Sequence, residues 1–244
     1  MDLKLIMAEL EALGSAQTRK VLRRHGAKDP FYGVKIADMK KLVSKIKKAN
    51  KADGKAGLHK LALDLYDTGN SDAMYMAAYL VDPGHIGKEE LQRWVEGAYW
   101  YMISDYTIAW TASASPFGWD LALGWIESEN QFIASAGWAT ISSILSIKAD
   151  DELDKSTLLH LMERAKNEIH SAKNRVRYAM NNFLIAAGSF VPELTETAKS
   201  MGQQVGKVEV DMGGTSCKVP GIVDTIEKVE SKGKLGQKRK STVC

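Results

Sequence analysis

The sequence predicts an all-α protein folded as an α-solenoid of HEAT-like helical repeats. Apolar residues recur with a period near 3.6 along most of the chain, and capping and breaking residues punctuate that pattern at short intervals. Each helix delimited in this way is too short to bury its apolar face without neighbours. Ten or more such helices joined by short loops favour stacked pairs. Because no clean sequence repeat is present, a compact helical bundle is the alternative.

The helices can be located in order along the chain. An apolar stripe from Leu3 to Leu13 ends at Gly14, and Ser15 predicts the N-cap of a second helix that ends at Gly26. The same period predicts helices at 35–50, 56–68, 71–81, 88–102, 105–113, 117–127, 130–147, 151–166, 171–187 and 191–204. The predicted N-caps of later helices are Ser71, Asp150 and Ser171, and the predicted breaks are Gly69, Pro116, Gly188 and Pro192.

The C-terminal region follows a different pattern. KVEVDMGGTSCKVP (207–220) alternates and breaks at two glycines, which predicts an extended segment or short hairpin before a helix near 221–230. The last residues are polar and basic, which is typical of a flexible tail. We therefore divide the chain into a helical-repeat domain (1–205), a C-terminal segment packed on it (206–230) and a basic flexible tail (231–244).

The composition excludes several classes of protein. The 244 residues are 45% hydrophobic and 26% charged, an ordinary globular mixture. Since no apolar run approaches the ~18 residues of a membrane span and acids interrupt the first apolar stretch, we expect a cytoplasmic protein without membrane contact. Cys217 and Cys244 cannot form a disulfide framework, and the five histidines lack metal-ligand spacing, so we expect no metal and no cofactor.

The net charge of +3 is unevenly distributed. Residues 1–60 carry +9, residues 61–165 carry −11 and residues 166–244 carry +5. Two basic ends around an acidic middle favour binding to a polyanion, with a clustering of solvated lysine-rich helices as the alternative. Basic residues near the N-terminus also recur at helical spacing, as Arg19–Arg23, Lys20–Arg24 and the row Lys41, Lys45 and Lys48. Such rows can follow a phosphate backbone.

A polar stripe marks one of the C-terminal helices. Asn174, Arg177 and Asn181 align at i, i+3 and i+7, with Lys173 and Asn182 alongside and apolar residues on the other side. On an inner helix of a solenoid, such a stripe can bind phosphates or sugars. The alternative is that the amides bond to neighbouring backbone.

Aromatic residues concentrate in the middle of the chain, among them Trp100, Tyr101, Trp110 and Trp138. Large aromatics are common in cores, although one or two can stack on a base or sugar. Asp105 lies among them, where a buried carboxylate is costly unless it has a task or hydrogen-bond donors. Asp105 is therefore a candidate functional acid, with a helix N-cap as the alternative.

Three segments resemble one protein family. FYGVKIADMKKL (31–42) resembles the Tyr/Phe-Gly-Val motif of the DNA alkylation repair family, the AlkD-like HEAT-repeat glycosylases. Residues 104–145 look like the central segment of one branch of that family, and KVEVDMGGTSCKVP (207–220) is similar to a C-terminal segment of the same branch. The resemblance covers most of residues 1–230.

The resemblance implies a helical solenoid whose basic concave surface binds duplex DNA. Active members hydrolyse the N-glycosidic bond of N3- or N7-alkylated purines, and a carboxylate opposes the positive charge that develops on the sugar. Asp105 corresponds to that acid, and Tyr101, with Trp100 adjacent, corresponds to a Trp four residues before it. A DNA-contacting Arg of the family falls near Ser135 and a further aromatic falls near Asn182, so both differ here.

The sequence thus predicts a DNA alkylation repair protein that binds duplex DNA, alkylated or undamaged, in a basic concave groove as a monomer. Excision of alkylated purines through Asp105 is the activity that the resemblance adds. The alternatives are a non-catalytic DNA-binding relative and a helical scaffold for a protein or RNA partner. The predicted DNA-contacting residues are Arg23, Arg24, Lys41, Lys45, Trp100, Tyr101, Trp110, Ser135, Trp138, Lys173, Asn174, Arg177, Asn181 and Asn182.

Overall fold

A computed structural model describes residues 1–243, and Cys244 lies outside the described residues. The described chain is helical, and no β-strand forms within it. Its α-helices are α1 (Leu3–Leu13), α2 (Ala16–Arg24), α3 (Ile36–Ala49), α4 (Gly54–Asp67), α5 (Ser71–Ala77), α6 (Lys88–Gly97), α7 (Ala109–Ser113), α8 (Gly118–Trp125), α9 (Gln131–Ile147), α10 (Lys155–Glu168), α11 (Asn174–Phe190), α12 (Thr195–Val205) and α13 (Ile222–Glu230). Short 3₁₀ turns lie at Lys51–Asp53, Asp150–Glu152 and Pro192–Leu194, and a π-helical turn spans Ile103–Ile108.

Side-chain caps fix where several helices begin. Ser15 accepts a hydrogen bond from the backbone of α2, which confirms that predicted cap. Elsewhere the caps differ from the prediction: Asn70 caps α5 in place of Ser71, and Asp154 caps α10 in place of Asp150. At α11 the N-cap position is Lys173, whose side chain makes no capping bond, so the predicted Ser171 cap is wrong.

The helices form two layers, as the solenoid prediction requires. The inner layer contains α5, the π turn with α7, α9, α11 and α13, each in contact with the next. The outer layer contains α4, α8, α10 and α12, which pack against the inner helices. Two clusters of buried apolar residues, one in each half, meet at α9, where Ala136 belongs to one cluster and Trp138 to the other. The stacking of helix pairs therefore buries faces that single helices cannot.

The segment 31–34 is held by a buried carboxylate. Asp72 accepts hydrogen bonds from the backbone N–H groups of Tyr32 (2.6 Å), Gly33 (2.9 Å) and Val34 (3.1 Å). Gly33 has φ of +81°, and a Cβ there would lie 2.7 Å from the backbone nitrogen of Arg19. The glycine is therefore required both by the left-handed backbone and by the close approach of α2.

The residues after α12 cross the solenoid twice. Residues 206–221 run extended across the N-terminal half of α11, without forming a hairpin, and α13 then packs on α11 and α12. A Cβ on Gly188 would lie 2.5 Å from the side chain of Ile226, so this glycine permits the close approach of α13. No helix among residues 1–243 combines the length and apolar character that a bilayer crossing needs.

The C-terminal residues, predicted to be a flexible tail, contact the ends of the inner helices. Residues 231–243 lie across the C-terminal ends of the inner helices. The Gly236 N–H donates to the Ser189 carbonyl (2.9 Å), the Arg239 N–H to the Ser146 carbonyl (2.7 Å) and the Thr242 hydroxyl to the Trp110 carbonyl (3.1 Å). The last turn of a helix leaves carbonyl groups without intrahelical partners, and the tail supplies donors to them. Composition alone could not reveal this docking.

Candidate nucleic-acid interface

The π-helical turn positions the candidate acid. The helix that begins at Tyr101 widens over Ile103–Ile108 and returns to α-helical geometry in α7. Such turns are rare, and where they occur they re-aim side chains and are frequent at functional sites. Here the turn carries Ser104 and Asp105 side by side toward α9 and α11.

Asp105 is surrounded by donors from three inner helices. Its Oδ1 accepts hydrogen bonds from the hydroxyls of Ser104 (2.8 Å) and Ser135 (2.7 Å), and its Oδ2 forms an ion pair with Arg175. The side chains of Asp105 and Arg175 are each only 9% exposed. We name Ser104, Asp105, Ser135 and Arg175 the acid site. The Asp105 carboxylate does not act as a helix N-cap, which was the predicted alternative, because all its partners are side chains.

Two tyrosine rings cover the guanidinium of the acid site. The Arg175 Cζ lies 4.2 Å from the ring centroid of Tyr101 and 4.7 Å from that of Tyr178, both within range of a cation–π contact. The Arg175 Nε is buried and has no hydrogen-bond partner within residues 1–243. Burial raises the pKa of Tyr101 above its usual range, so this phenol stays neutral at ordinary pH.

A cleft of about 290 Å³ opens beside the acid site. The Tyr101 hydroxyl is 3.1 Å from Nδ1 of His25, and α9 and α11 both begin at the rim of this cleft. The N-terminal ends of helices carry partial positive charge, so this end of the inner layer favours anions. The lining includes Arg23, Arg24, His25, Tyr101, Phe132 and Arg175.

The predicted polar stripe of α11 binds the protein's own C-terminal segment. The Asn174 side chain donates to the Asp211 carbonyl (2.9 Å) and accepts from the Asp211 N–H (2.7 Å). Asn181 donates to the carbonyl of Pro220 (3.0 Å), and Arg177 donates to two backbone carbonyls. The alternative interpretation, side chains that bond to backbone, therefore describes the contacts that these three residues make in the structure.

The three predicted tryptophans belong to the core. Trp138 is fully buried with its ring centroid 5.1 Å from that of Phe183, and Trp110 is buried among tyrosine rings. Trp100 is also buried, and its indole N–H donates to the His25 carbonyl (2.7 Å). Burial leaves none of these rings free to stack on a base, although an edge of Trp110 and of Trp100 lines a cleft.

Most of the predicted basic contacts are exposed and form surface ion pairs. Lys41 pairs with Asp38 (3.0 Å) and Lys45 with Glu9 (2.7 Å). Others pair in the same manner, namely Arg23 with Asp29 and Lys173 with Glu129. Arg24 forms no ion pair within residues 1–243. Exposed pairs stabilise a protein by at most about 1 kcal/mol, so these cations can exchange a carboxylate for a phosphate.

Asn182 lies in a second cleft, at the opposite ends of the inner helices. This cleft, about 280 Å³ in volume, is bordered by α9, α11 and the tail, and we name it the tail cleft. Its lining includes Trp110, Ser143, Asn182, Phe190, Arg239 and Thr242. The structure therefore does not bring Asn182 to Asp105.

Sequence reasoning did not place Arg175 beside Asp105, and it did not single out Tyr178 or Arg239. The signal for Arg175 was present, because a carboxylate in an apolar stretch needs a cation or donors. On α11, positions 175, 178 and 182 share a face at i, i+3 and i+7, one residue on from the predicted polar stripe. No group of three potential metal ligands comes together within residues 1–243.

Comparison with known proteins gives the family context of these sites. Residues 6–198 match the sequence profile of the family described as DNA alkylation repair enzyme. An uncharacterized protein of Listeria innocua is 33% identical over 228 residues, covering 92% of this chain and 95% of its own length. An uncharacterized protein of Listeria monocytogenes is 32% identical over 230 residues, covering 93% and 96%.

One solved structure is similar over the full length of both chains, with a TM-score of 0.88 and 37% sequence identity. It is described as a member of a new family of proteins that are related to the HEAT-like repeat DNA glycosylases and have affinity for branched DNA structures. The similarity confirms the solenoid prediction and relates the fold to these glycosylases.

Proposed function

This chain belongs to the DNA alkylation repair enzyme family, and we propose that it binds DNA, with a preference for branched structures, without excising bases. The observation that carries the proposal is the state of Asp105. Its two carboxylate oxygens are taken by Ser104, Ser135 and Arg175, and its charge is balanced by a guanidinium at 9% exposure.

Excision by a carboxylate requires an unbalanced negative charge next to the sugar. In hydrolysis of an N-glycosidic bond, the carboxylate opposes the positive charge that grows on the sugar in the transition state. A carboxylate that already holds a cation offers little of this stabilisation, since the guanidinium contributes an equal charge of opposite sign. The rings of Tyr101 and Tyr178 also cover the pair from two sides.

DNA binding fits the charges that remain available. The N-terminal quarter of the chain carries +9, and Arg23 and Arg24 line the cleft beside the acid site. A branch point brings several strands and their phosphates close together, so a protein with basic residues at separated places can contact more than one arm. The solved relative with affinity for branched DNA covers the whole of this chain.

Base excision is the second candidate, and the π turn is the observation that favours it. Asp105 lies in this rare helical turn, and its partner Arg175 lines a cleft together with Tyr101. Excision requires that DNA binding displaces Arg175 from Asp105, so that the carboxylate faces the sugar. This hypothesis predicts loss of all activity in the Asp105→Asn variant.

The two candidates separate in one set of measurements. We expect fluorescence anisotropy to show that a four-way junction binds about tenfold or more tightly than a duplex of equal length, with a steep loss of affinity as salt rises. We expect no release of N3- or N7-methylpurine above the uncatalysed rate from methylated duplex. Release that disappears in Asp105→Asn would establish excision instead, and equal affinity for junction and duplex would refute the preference for branches.

A charge-matched pair of variants tests the basic surface. Replacing Arg23, Arg24, Lys41 and Lys45 together with alanine should flatten the plot of log Kd against log salt, by about 0.9 for each phosphate that the variant no longer neutralises. The control replaces four lysines of α4, α6 and α10, namely Lys60, Lys88, Lys155 and Lys166, and should leave the slope nearly unchanged. Equal slopes for the two variants would refute the assignment of this surface.

A further inference from the structure

The tail cleft contains polar side chains without partners. The Ser143 hydroxyl, the Asn182 carboxamide and the Arg239 guanidinium all line it, and none forms a hydrogen bond with another residue of the described chain. They come from three different elements: α9, α11 and the tail. By contrast, the other hydroxyls in the lining are occupied, since Ser142, Ser146 and Thr242 each donate to a backbone carbonyl.

The tail backbone brings Arg239 to this position. Its N–H donates to the carbonyl of Ser146, and Lys238 beside it donates to the carbonyl of Leu145 (2.9 Å). The guanidinium lies 5.3 Å from the ring centroid of Phe190, a cation–π contact that restrains its direction. Arg239 forms no ion pair within residues 1–243, whereas the neighbouring Lys238 pairs with Asp150 (2.8 Å).

We infer that the tail cleft is a binding site for a phosphate group of a nucleic-acid backbone, with Arg239 as its charged ligand. A guanidinium presents several N–H donors in a planar fork that matches phosphate oxygens, and the Asn182 amide and Ser143 hydroxyl add neutral donors. The inference rests on the proposed DNA binding and deepens it. In this inference, the docked tail contacts a phosphate at the end of the inner layer that lies opposite the acid site.

Docking of the tail gives the site a fixed position. A free basic tail would attract DNA nonspecifically, but a docked arginine fixes the position of one phosphate relative to the inner helices. Removing Arg239 should therefore weaken the binding of every DNA substrate by a similar factor and reduce the salt dependence by the amount that one phosphate contributes.

The experiment measures affinity for a four-way junction at several salt concentrations in the full-length protein. Arg239→Ala should bind about five- to tenfold more weakly, with the slope of log Kd against log salt reduced by about 0.9. Asn182→Ala should lose about two- to threefold without changing the slope. Arg239→Lys keeps the charge and should lie between the parent and Arg239→Ala.

The matched control is Lys232→Ala, which removes one positive charge from the same tail outside the tail cleft. The backbone bonds that hold the tail do not involve the Arg239 side chain, so Tm should change by less than about 3 °C in Arg239→Ala. If Arg239→Ala and Lys232→Ala behave alike while the parent binds DNA, the phosphate site is refuted and DNA binding stands. If the parent binds no DNA, both proposals fail.

Discussion

The two ends of the inner helix layer contain polar clusters of opposite kinds. At the N-terminal ends, every oxygen of the Asp105 carboxylate has a donor and its charge is balanced by Arg175. At the C-terminal ends, the side chains of Ser143, Asn182 and Arg239 line the tail cleft with no hydrogen-bond partner among the described residues. Both clusters use side chains of α9 and α11, so the packing of these two helices alone does not explain the difference.

The comparison shows how to distinguish a structural polar cluster from a binding site. A buried cluster whose donors and acceptors are all paired has few free groups for a ligand. Removing one member of such a cluster leaves a charge without its partner. An unsatisfied cluster at a surface cleft is solvated at small cost and gains partners only when a ligand arrives. Our proposal of DNA binding without excision therefore treats the acid site as structural, although its aspartate matches the catalytic acid of the family resemblance.

The largest expected effect comes from breaking the acid site. Arg175→Met removes the cation and leaves the Asp105 carboxylate buried without its ion pair, which should destabilise the protein by about 3–5 kcal/mol. The measurement is chemical denaturation followed by circular dichroism at neutral pH. The double variant Asp105→Leu/Arg175→Met removes both charges and should be more stable than Arg175→Met alone.

If the Arg175→Met variant loses less than about 1 kcal/mol, the acid site is not a structural pair, and Arg175 is free to leave Asp105 for another partner. That outcome would also strengthen the excision hypothesis, because the carboxylate would then be able to act without its cation.

A second prediction compares two asparagines of α11. Asn174 exchanges two hydrogen bonds with the Asp211 backbone, whereas the Asn182 side chain has no partner within residues 1–243. Asn174→Ala should therefore destabilise the protein by about 1 kcal/mol, and Asn182→Ala should change stability by less than about 0.5 kcal/mol. Denaturation of both variants under one condition measures this. Equal losses of stability would mean that Asn182 in the tail cleft supports the fold as much as Asn174 in the polar stripe does.

The sequence was sufficient for the fold because its signals are local. The 3.6 period and the Ser15 cap follow from neighbouring residues, and they predicted the solenoid that the structural comparison confirms. The same local reading found Asp105. It could not find Arg175, which lies 70 residues away and meets Asp105 only because α9 packs against both the π turn and α11.

The errors in the site prediction have the same origin. Asn174 and Asn181 are polar and share a helix face, but whether a face meets DNA or a later segment of the chain depends on where residues 206–221 run. The tail carries a composition typical of disorder, and it docks because exposed carbonyl groups at the ends of α9 and α11 accept its N–H groups. Long-range placement of this kind leaves no periodic trace in the sequence.

The smallest predicted effect concerns Tyr106, which lies between the two clusters. Its ring packs edge-on against Trp110 (5.4 Å between centroids), and burial, aided by the neighbouring Tyr178 and Asp105, raises its pKa to about 12. Because the folded pKa exceeds the ordinary value of 10.0, the neutral phenol stabilises the fold fully below about pH 10. That contribution is lost as pH rises toward the folded pKa. Between about pH 9 and about pH 10.5 the loss should be about 0.8 kcal/mol, at ~1.36 kcal/mol per pKa unit.

Denaturation of the parent and of Tyr106→Phe at these two pH values isolates this contribution, since the other titrating groups are shared. The parent should lose about 0.8 kcal/mol more than Tyr106→Phe over the interval. A phenol that faced open solvent between the clusters would titrate near its ordinary pKa in both the folded and unfolded states, and the two proteins would then lose stability equally. Equal losses would mean that the surface between the acid site and the tail cleft is wetter than the packing of Tyr106 on Trp110 implies. A single ligand could then contact both clusters, and the contrast between a cluster with paired groups and a cluster with unpaired groups would no longer separate the two ends of the inner layer.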